Sequence, residues 1–158
     1  MSHDNDCKCF GCSMRDQGLS EEEIAEKLVE QRDQEIARKG YMLVGVIDEQ
    51  YPFNVNFHTI GLEETMRHPN LQIILPLEDE VVSSMVARLV LRIVNGCALN
   101  DGDVLDKVLG NGMRVKCISA HYRDKDYIRI VFPDKKGNLD KDTMDPSFAK
   151  QYDCLDIS

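Results

Sequence analysis

The sequence has no long hydrophobic run and no signal-like beginning. No stretch approaches the ~20 consecutive apolar residues that a membrane-spanning helix needs, so no membrane association is expected. The first residues, MSHDNDCKCF, lack the basic and then apolar pattern of a secretory signal peptide. We therefore expect a cytoplasmic protein, whose six cysteines are thiols or metal ligands rather than disulfides.

Positive charge is also scarce. The chain has 19 lysines and arginines against 28 acidic residues, which leaves a formal net charge of −9. Proteins that bind nucleic acid rely on clustered lysine and arginine to neutralise phosphates, so no nucleic-acid partner is expected. The acidic residues are spread along the chain, which is typical of a soluble acidic surface.

The length of 158 residues suits one domain with polar segments at its ends. We expect residues 1–19 to form a cysteine-bearing N-terminal lead and residues 20–138 to form a single α+β domain. Residues 139–158 are expected to form an irregular C-terminal tail packed on that domain. The sequence shows no internal repeat and no low-complexity tract.

Two segments are predicted to be helices. The first begins with a capping box, Ser20 and Glu23, and ends before Gly40. The second spans residues 78–96, where apolar side chains recur at a spacing of three and four and Asn95-Gly96 follows the last of them.

Five segments are predicted to be strands: residues 41–47, 53–58, 71–76, 113–119 and 127–132. The order α-β-β-β-α-β-β lacks the helical crossovers of a doubly wound parallel sheet. It predicts an α+β two-layer sandwich, with a mixed, mostly antiparallel sheet of about five strands and two main helices on one face.

Strict alternation in the second strand divides its side chains between two faces. Phe53, Val55 and Phe57 lie on one face, which we expect the helices to cover. Asn54, Asn56 and His58 lie on the other face and are predicted to form an outward interaction face.

Residues 58–70, HTIGLEETMRHPN, bring two histidines and two glutamates close together in the sequence. Imidazole acts as acid, base or ligand near neutral pH, so His58, His68 and His121 are the candidate catalytic residues. No nucleophile is apparent beside His58, and Gly61 and Pro69 suit backbone bends. We favour an architectural corner over a catalytic site here.

The segment CKCFGC contains the pattern C-x-C-x2-C, formed by Cys7, Cys9 and Cys12. Its second half has the spacing of a zinc knuckle, and thiolates this close together favour a soft cation such as Zn2+. The fourth ligand would be His3 or Cys154. The alternative is a redox-sensitive tail that binds no ion.

Two weaker patterns favour ordinary structural roles. Cys117 shares a predicted strand face with Met113 and Val115, so we interpret it as a small core residue. The aspartates of residues 101–106 resemble a calcium loop only loosely and are interpreted as a polar turn.

Several segments taken in order resemble a known family: GYMLVGV, PFNVNFHTIGL, HPNLQIILPL, the valine-rich helix and RIVFPDKKG. Together they resemble the domain-of-unknown-function 4262 (DUF4262) family of small bacterial and phage proteins, over roughly residues 36–138. The chain departs from the family pattern at His58, where Tyr is usual, and at Asn70, where Glu is usual. The resemblance implies an accessory protein of a phage or bacterial defence or counter-defence setting.

The sequence favours a small acidic interaction or regulatory module that binds a protein partner, because no complete catalytic constellation is present. Two alternatives stay open. One is a small hydrolase or nucleotide-acting enzyme that uses His58 and His121. The other is a zinc-binding module built on the N-terminal cysteines.

Overall fold

The computed structural model describes Gly18 and residues 20–157. The chain divides into two units between Met42 and Leu43. In the described residues, no helix is long and apolar enough to cross a membrane.

Helix α1 (Glu21–Lys39) makes up most of the described part of the first unit. The Ser20 hydroxyl accepts a hydrogen bond from the Glu23 N–H at 3.2 Å. Gly40 adopts a left-handed conformation, with φ at 89°, and its N–H donates to the Ile36 carbonyl. Both ends therefore lie where the capping residues predict them, because each cap satisfies backbone groups of the adjacent turn.

The second unit is built on a mixed sheet of seven strands. They are β1 (Met42–Ile47), β2 (Val55–Ile60), β3 (Asn70–Ile73), β4 (Val104–Leu105), β5 (Val115–Tyr122), β6 (Lys125–Val131) and β7 (Asp156–Ile157). Their order is β1-β2-β3-β6-β5-β4, with β7 beside β5. The β3–β6 and β5–β7 pairs are parallel, while β2–β3, β4–β5 and β5–β6 are antiparallel.

Three helices belong to this unit: α2 (Leu62–Met66), α3 (Asp79–Val94) and α4 (Pro146–Ala149), the last followed by a 3-10 turn at Lys150–Tyr152. The predicted apolar stripe of α3 ends with Ile93, which is only partly buried. Its other five residues are buried: Val82, Met85, Val86, Leu89 and Val90. The α+β class and the mixed sheet are therefore confirmed, with two short helices that the sequence analysis did not predict.

All five predicted strands are present, and β4 and β7, of two residues each, are additional. The second strand begins two residues later than predicted. Asn54 has a φ of 58°, a left-handed conformation that interrupts an extended strand. Phe53 therefore lies in the preceding turn, outside the alternation of β2.

Strand register separates the sheet into two faces. Phe57 lies opposite Ile73, and Ile130 lies opposite Cys117, on what we call the apolar face. His58 lies opposite Gln72, and Gln72 lies opposite Arg129, on what we call the polar face. Residues of both faces are buried, so the sheet is not open on one side.

The C-terminal segment covers part of the polar face. Ile118 and Val131, which lie on that face, form a buried cluster with Met144. Side chains of the last helical turns and of the residue before β7 pack against this cluster: Phe148, Ala149, Tyr152 and Leu155. Residues beyond 138 are therefore part of the packed unit, and much of this segment has regular structure.

The prediction that Asn54, Asn56 and His58 form one outward row does not match this arrangement. Asn54 is exposed but precedes the strand, Asn56 is only 6% exposed, and His58 is partly buried. The prediction assumed that the sheet has one uncovered face, whereas its polar face is also packed.

Candidate functional site

The corner formed by residues 58–70 is held together by buried polar side chains. The Thr59 hydroxyl donates to Asn70 Oδ1 at 3.0 Å and accepts the Leu71 N–H at 2.9 Å. Asn70 Oδ1 also accepts the Leu62 N–H at 3.2 Å. Thr59 and Asn70 are almost completely buried, so these bonds connect β2, α2 and β3 away from water.

Helix α2 occupies the middle of this corner. Gly61 precedes it with a φ of 98°, and Arg67 ends it with a φ of 52°. Glu63 and Glu64 lie exposed in its first turn, where negative charge is favourable near the unpaired N–H groups of a helix start. Their position gives these two glutamates a local structural role.

His68 uses both ring nitrogens in structural hydrogen bonds. Nε2 accepts the Leu99 N–H at 2.9 Å, so the ring proton resides on Nδ1, which donates to the Pro69 carbonyl at 2.7 Å. The side chain is 5% exposed. His68 therefore connects the corner to the loop after α3, and both of its ring nitrogens are occupied by hydrogen bonds within the chain.

His58 lies on the polar face with its ring edge-on to Tyr127, at a centroid distance of 5.9 Å. Its Nδ1 atom is buried and has no hydrogen-bond partner in the described chain. Burial, and then the charge of Lys125, lower the pKa of His58. The imidazole is therefore favoured in its neutral form.

His121 has the opposite electrostatic environment. Its Nδ1 lies 2.9 Å from Asp126 Oδ1, and both side chains are substantially exposed. The hydrogen bond to Asp126 raises the pKa of His121.

The structure does not bring His58 and His121 together. His58 lies opposite Gln72, Gln72 lies opposite Arg129, and Arg129 lies opposite Ile118. His58 is therefore three strands away from Ile118. Three strand spacings amount to about 14 Å. His121 follows Ile118 by three residues and therefore points to the apolar side of the sheet. A site that uses both imidazoles, as the enzyme alternative requires, is not assembled here.

Arg129 is the centre of a buried polar network that the sequence analysis missed. The residue is completely buried, and its guanidinium donates to Gln72 Oε1 at 2.9 Å. It also donates to three main-chain carbonyls of the C-terminal segment, those of Gln151, Asp153 and Cys154. The sequence signal was a single arginine inside the apolar strand YIRIVF.

Other polar groups extend this network. Gln72 Nε2 donates to the Tyr51 hydroxyl at 3.0 Å and to Asn56 Oδ1 at 3.2 Å. The Arg129 guanidinium lies 5.7 Å from the centre of the Tyr51 ring. Burial lowers the pKa of Arg129, but a guanidinium stays protonated in proteins. Carbonyl dipoles and the ring face balance this charge, since no carboxylate lies within ion-pair distance of it among the described residues.

Gln151 fixes the same segment from the other side. Its amide oxygen accepts the Phe132 N–H at 2.7 Å, and its amide nitrogen donates to the Phe132 carbonyl at 3.0 Å. The Gln151 amide thus makes both hydrogen bonds to the Phe132 backbone that a residue of a neighbouring strand would make. The Arg129 network and Gln151 hold the C-terminal segment, so their arrangement supports an architectural role.

The outer surface of α3 has an unusual composition for a helix face in water. Opposite the buried stripe, after the exposed Glu80 of the first turn, lie Ser83, Ser84, Ala87, Leu91 and Val94, all exposed. Leu91 is 59% exposed and Val94 is 58% exposed. The neighbouring cations are engaged elsewhere, because Arg88 donates to the Val108 carbonyl and Arg92 donates to the Asp106 carbonyl. We call these five exposed residues the outer face of α3.

The predicted zinc ligands, apart from Cys154, fall outside the part of the chain that the structure describes. His3, Cys7, Cys9 and Cys12 lie outside the described residues. Cys154 is described, and its thiol donates to the Gln50 carbonyl at 3.2 Å. Within residues 20–157, no group of three or more His, Cys, Asp or Glu side chains could hold a metal ion. Zinc binding through the N-terminal cysteines stays a prediction.

The remaining cysteine and aspartate candidates have structural positions. Cys117 is completely buried, and burial raises the pKa of its thiol to about 12. Such a thiol is a core residue and a poor nucleophile at neutral pH. Asp101 Oδ1 accepts the Ser119 N–H at 2.7 Å, and Asp103 Oδ2 accepts the Asn100 N–H at 2.9 Å.

Comparisons with family models, curated proteins and solved structures find no match to this chain. The resemblance to the DUF4262 family stays a prediction from the sequence.

Proposed function

We propose that the protein is a non-enzymatic interaction module that binds a protein partner through the outer face of α3. The observation that carries the proposal is the exposure of Leu91 and Val94 on that face, opposite a helix stripe that is already largely buried. A helix packed on one side only normally presents charged side chains to water on the other.

The composition of the outer face defines the chemistry of its partner. Ser83, Ser84 and Ala87 are small and uncharged, so another backbone can approach α3 closely between them. Leu91 and Val94 lie further along the helix and would bury aliphatic surface in the contact. We therefore propose that the partner presents an apolar helical surface.

The buried polar residues support a binding module over an enzyme. His68, Thr59, Asn70 and Gln72 have their polar atoms engaged with neighbours of the same chain. His58 and His121, the pair required by the hydrolase alternative, lie on opposite sides of the sheet. From the family resemblance we further propose an accessory role in phage or bacterial defence or counter-defence.

A site-specific photo-crosslinker tests the contact surface directly. The crosslinking residue replaces Ala87, within the outer face, and the experiment is run in cells that naturally carry the gene. A Leu91→Asp substitution in the same chain should reduce the crosslinked product at least about tenfold, because a carboxylate would have to be desolvated in an apolar contact.

Ile47→Asp is the matched control, because Ile47 is 67% exposed but lies on β1. It should leave the crosslinked product unchanged. Circular dichroism and thermal unfolding should show that both variants are folded. A product that survives Leu91→Asp, or that is lost equally with Ile47→Asp, contradicts the proposed surface.

A further inference from the structure

Two adjoining cavities lie beside the turn that follows β6. One has a volume of about 310 Å³ and is lined by Arg114 and Lys116, among others. The second has a volume of about 410 Å³ and is lined by Lys135 and Lys136, among others. Asn138 and Thr143 line both, so we treat the two cavities as one feature and call it the turn groove.

The turn groove has a small excess of positive charge, with four cationic residues and three carboxylates in its lining, in a chain whose net charge is −9. Four of its lining residues are cationic, two in each cavity. In the described part of the chain, Arg114 and Lys136 have no carboxylate within ion-pair distance. Lys116 lies 3.8 Å from Asp140, whose carboxylate is 76% exposed and therefore a weak competitor for it.

The other two carboxylates of the groove keep their negative charge, but their oxygens are directed at N–H and hydroxyl groups of the fold. Asp145 accepts the N–H and the hydroxyl of Ser147 at the start of α4, and these hydrogen bonds lower the pKa of Asp145. Asp134 accepts backbone N–H groups from Lys136, Asn138 and Asp145 at 2.9–3.0 Å. Burial alone would raise the pKa of Asp134, but these hydrogen bonds outweigh it and lower the pKa.

The same bonds to Asp134 determine the shape of the turn. Gly137 takes a φ of 86°, which a residue with a side chain adopts only with strain, and its N–H donates to the Asp134 carbonyl. The turn therefore fixes the backbone at Lys135 and Lys136, and both exposed side chains extend from it. Their ammonium groups stay mobile and can adjust to the position of an anion.

We propose that the turn groove binds a small phosphorylated molecule with at least two anionic groups. Arginine pairs its planar guanidinium with two phosphate oxygens, and lysine supplies a mobile point charge. The combined cavities have the size of an ordinary small-molecule site. A small anion experiences the local cations, whereas a long nucleic acid would also meet the surrounding acidic surface. The groove is independent of the outer face of α3.

Isothermal titration calorimetry with inorganic pyrophosphate, on the full chain at low salt, tests this proposal. Saturable binding is expected, weaker for orthophosphate, and about tenfold weaker in Arg114→Gln/Lys116→Gln and in Lys135→Gln/Lys136→Gln. Arg114→Gln alone should also weaken binding. Arg114 is exposed, so this single substitution should leave the fold intact.

Arg123→Gln/Lys125→Gln is the matched control, because it removes two exposed cations outside the groove and changes the net charge equally. It should change affinity less than twofold. Enzymes and metabolites usually bind with constants below about 1 mM. If pyrophosphate shows no saturable binding up to about 10 mM, the proposal is overturned. The proposal is also overturned if the control variant loses as much pyrophosphate affinity as the groove variants. Displacement of pyrophosphate by a single-stranded oligonucleotide would overturn it as well.

Discussion

His58 and His121 show that the surroundings of a residue determine its electrostatic behaviour. One is a partly buried imidazole without a partner at Nδ1, and the other is an exposed imidazole paired with Asp126. Burial lowers the pKa of His58, and the hydrogen bond to Asp126 raises the pKa of His121. Both are histidines on strands, and the sequence does not distinguish them.

These opposite shifts predict opposite contributions to the pH dependence of stability. The neutral His58 imidazole contributes to the free energy of unfolding above the pKa that histidine has in the unfolded chain, near 6.5. This contribution is lost as the pH falls through the lower pKa that His58 has in the folded chain. His121 contributes stability below the unfolded pKa, and that contribution is lost as the pH rises through its higher folded pKa.

Urea denaturation between pH 8 and pH 5 measures the sum of the two effects. The variant His58→Gln should lose less stability than the native chain on acidification, since glutamine does not titrate. Histidine NMR titrations should give a pKa below 6.5 for His58 and above 6.5 for His121. The reverse order would contradict the structural assignment.

At the scale of elements, the corner from β2 to β3 depends on one hydroxyl and one amide. The Thr59 hydroxyl bridges Asn70 and the Leu71 N–H, while Asn70 also satisfies the N–H at the start of α2. The sequence predicts an architectural corner, but it does not distinguish these two residues as the ones that hold it.

Thr59→Val should therefore destabilise the fold by about 1–3 kcal/mol, because the Leu71 N–H and Asn70 Oδ1 lose a buried partner while the side-chain volume is preserved. The change is measured as the free energy of unfolding in urea. Thr59→Ser keeps the hydroxyl and should cost less than the valine variant. If the serine variant were the less stable of the two, packing of the methyl group would matter more than the hydrogen bonds.

At the scale of the whole second unit, Arg129 joins the sheet to the C-terminal segment. Its guanidinium binds carbonyls that lie 22, 24 and 25 residues further along the chain. The segment in turn contributes Met144 to a buried cluster on the polar face.

Arg129→Met should destabilise the second unit by about 2–4 kcal/mol, because the buried carbonyls and Gln72 would lose the donor that satisfies them. Removal of a buried charge offsets part of this loss. Amide hydrogen exchange should then increase most in β7 and in the residues of β5 that pair with it. Arg123→Met is the control, since Arg123 is exposed and lies against the Tyr122 ring. Unchanged exchange in β7 of the Arg129 variant would show that the network does not hold the segment.

The sequence by itself determined the features that depend on near neighbours. Ser20 and Gly40 mark the ends of α1, the 3-4 spacing identifies the buried stripe of α3, and short apolar segments identify the strands. These succeed because capping bonds and side-chain periodicity act over a few residues. Breaks such as the left-handed Asn54 are missed, since asparagine adopts either conformation according to its surroundings.

Only the tertiary structure decided which surfaces are covered. Whether Asn56 and His58 face water depends on how the sheet packs with the C-terminal segment, which the alternation within β2 cannot indicate. The carbonyl partners of Arg129 likewise come from a distant segment whose own sequence predicts little regular structure. Solvent exposure and buried charge are determined by contacts between distant parts of the chain, and these contacts form only when the chain folds.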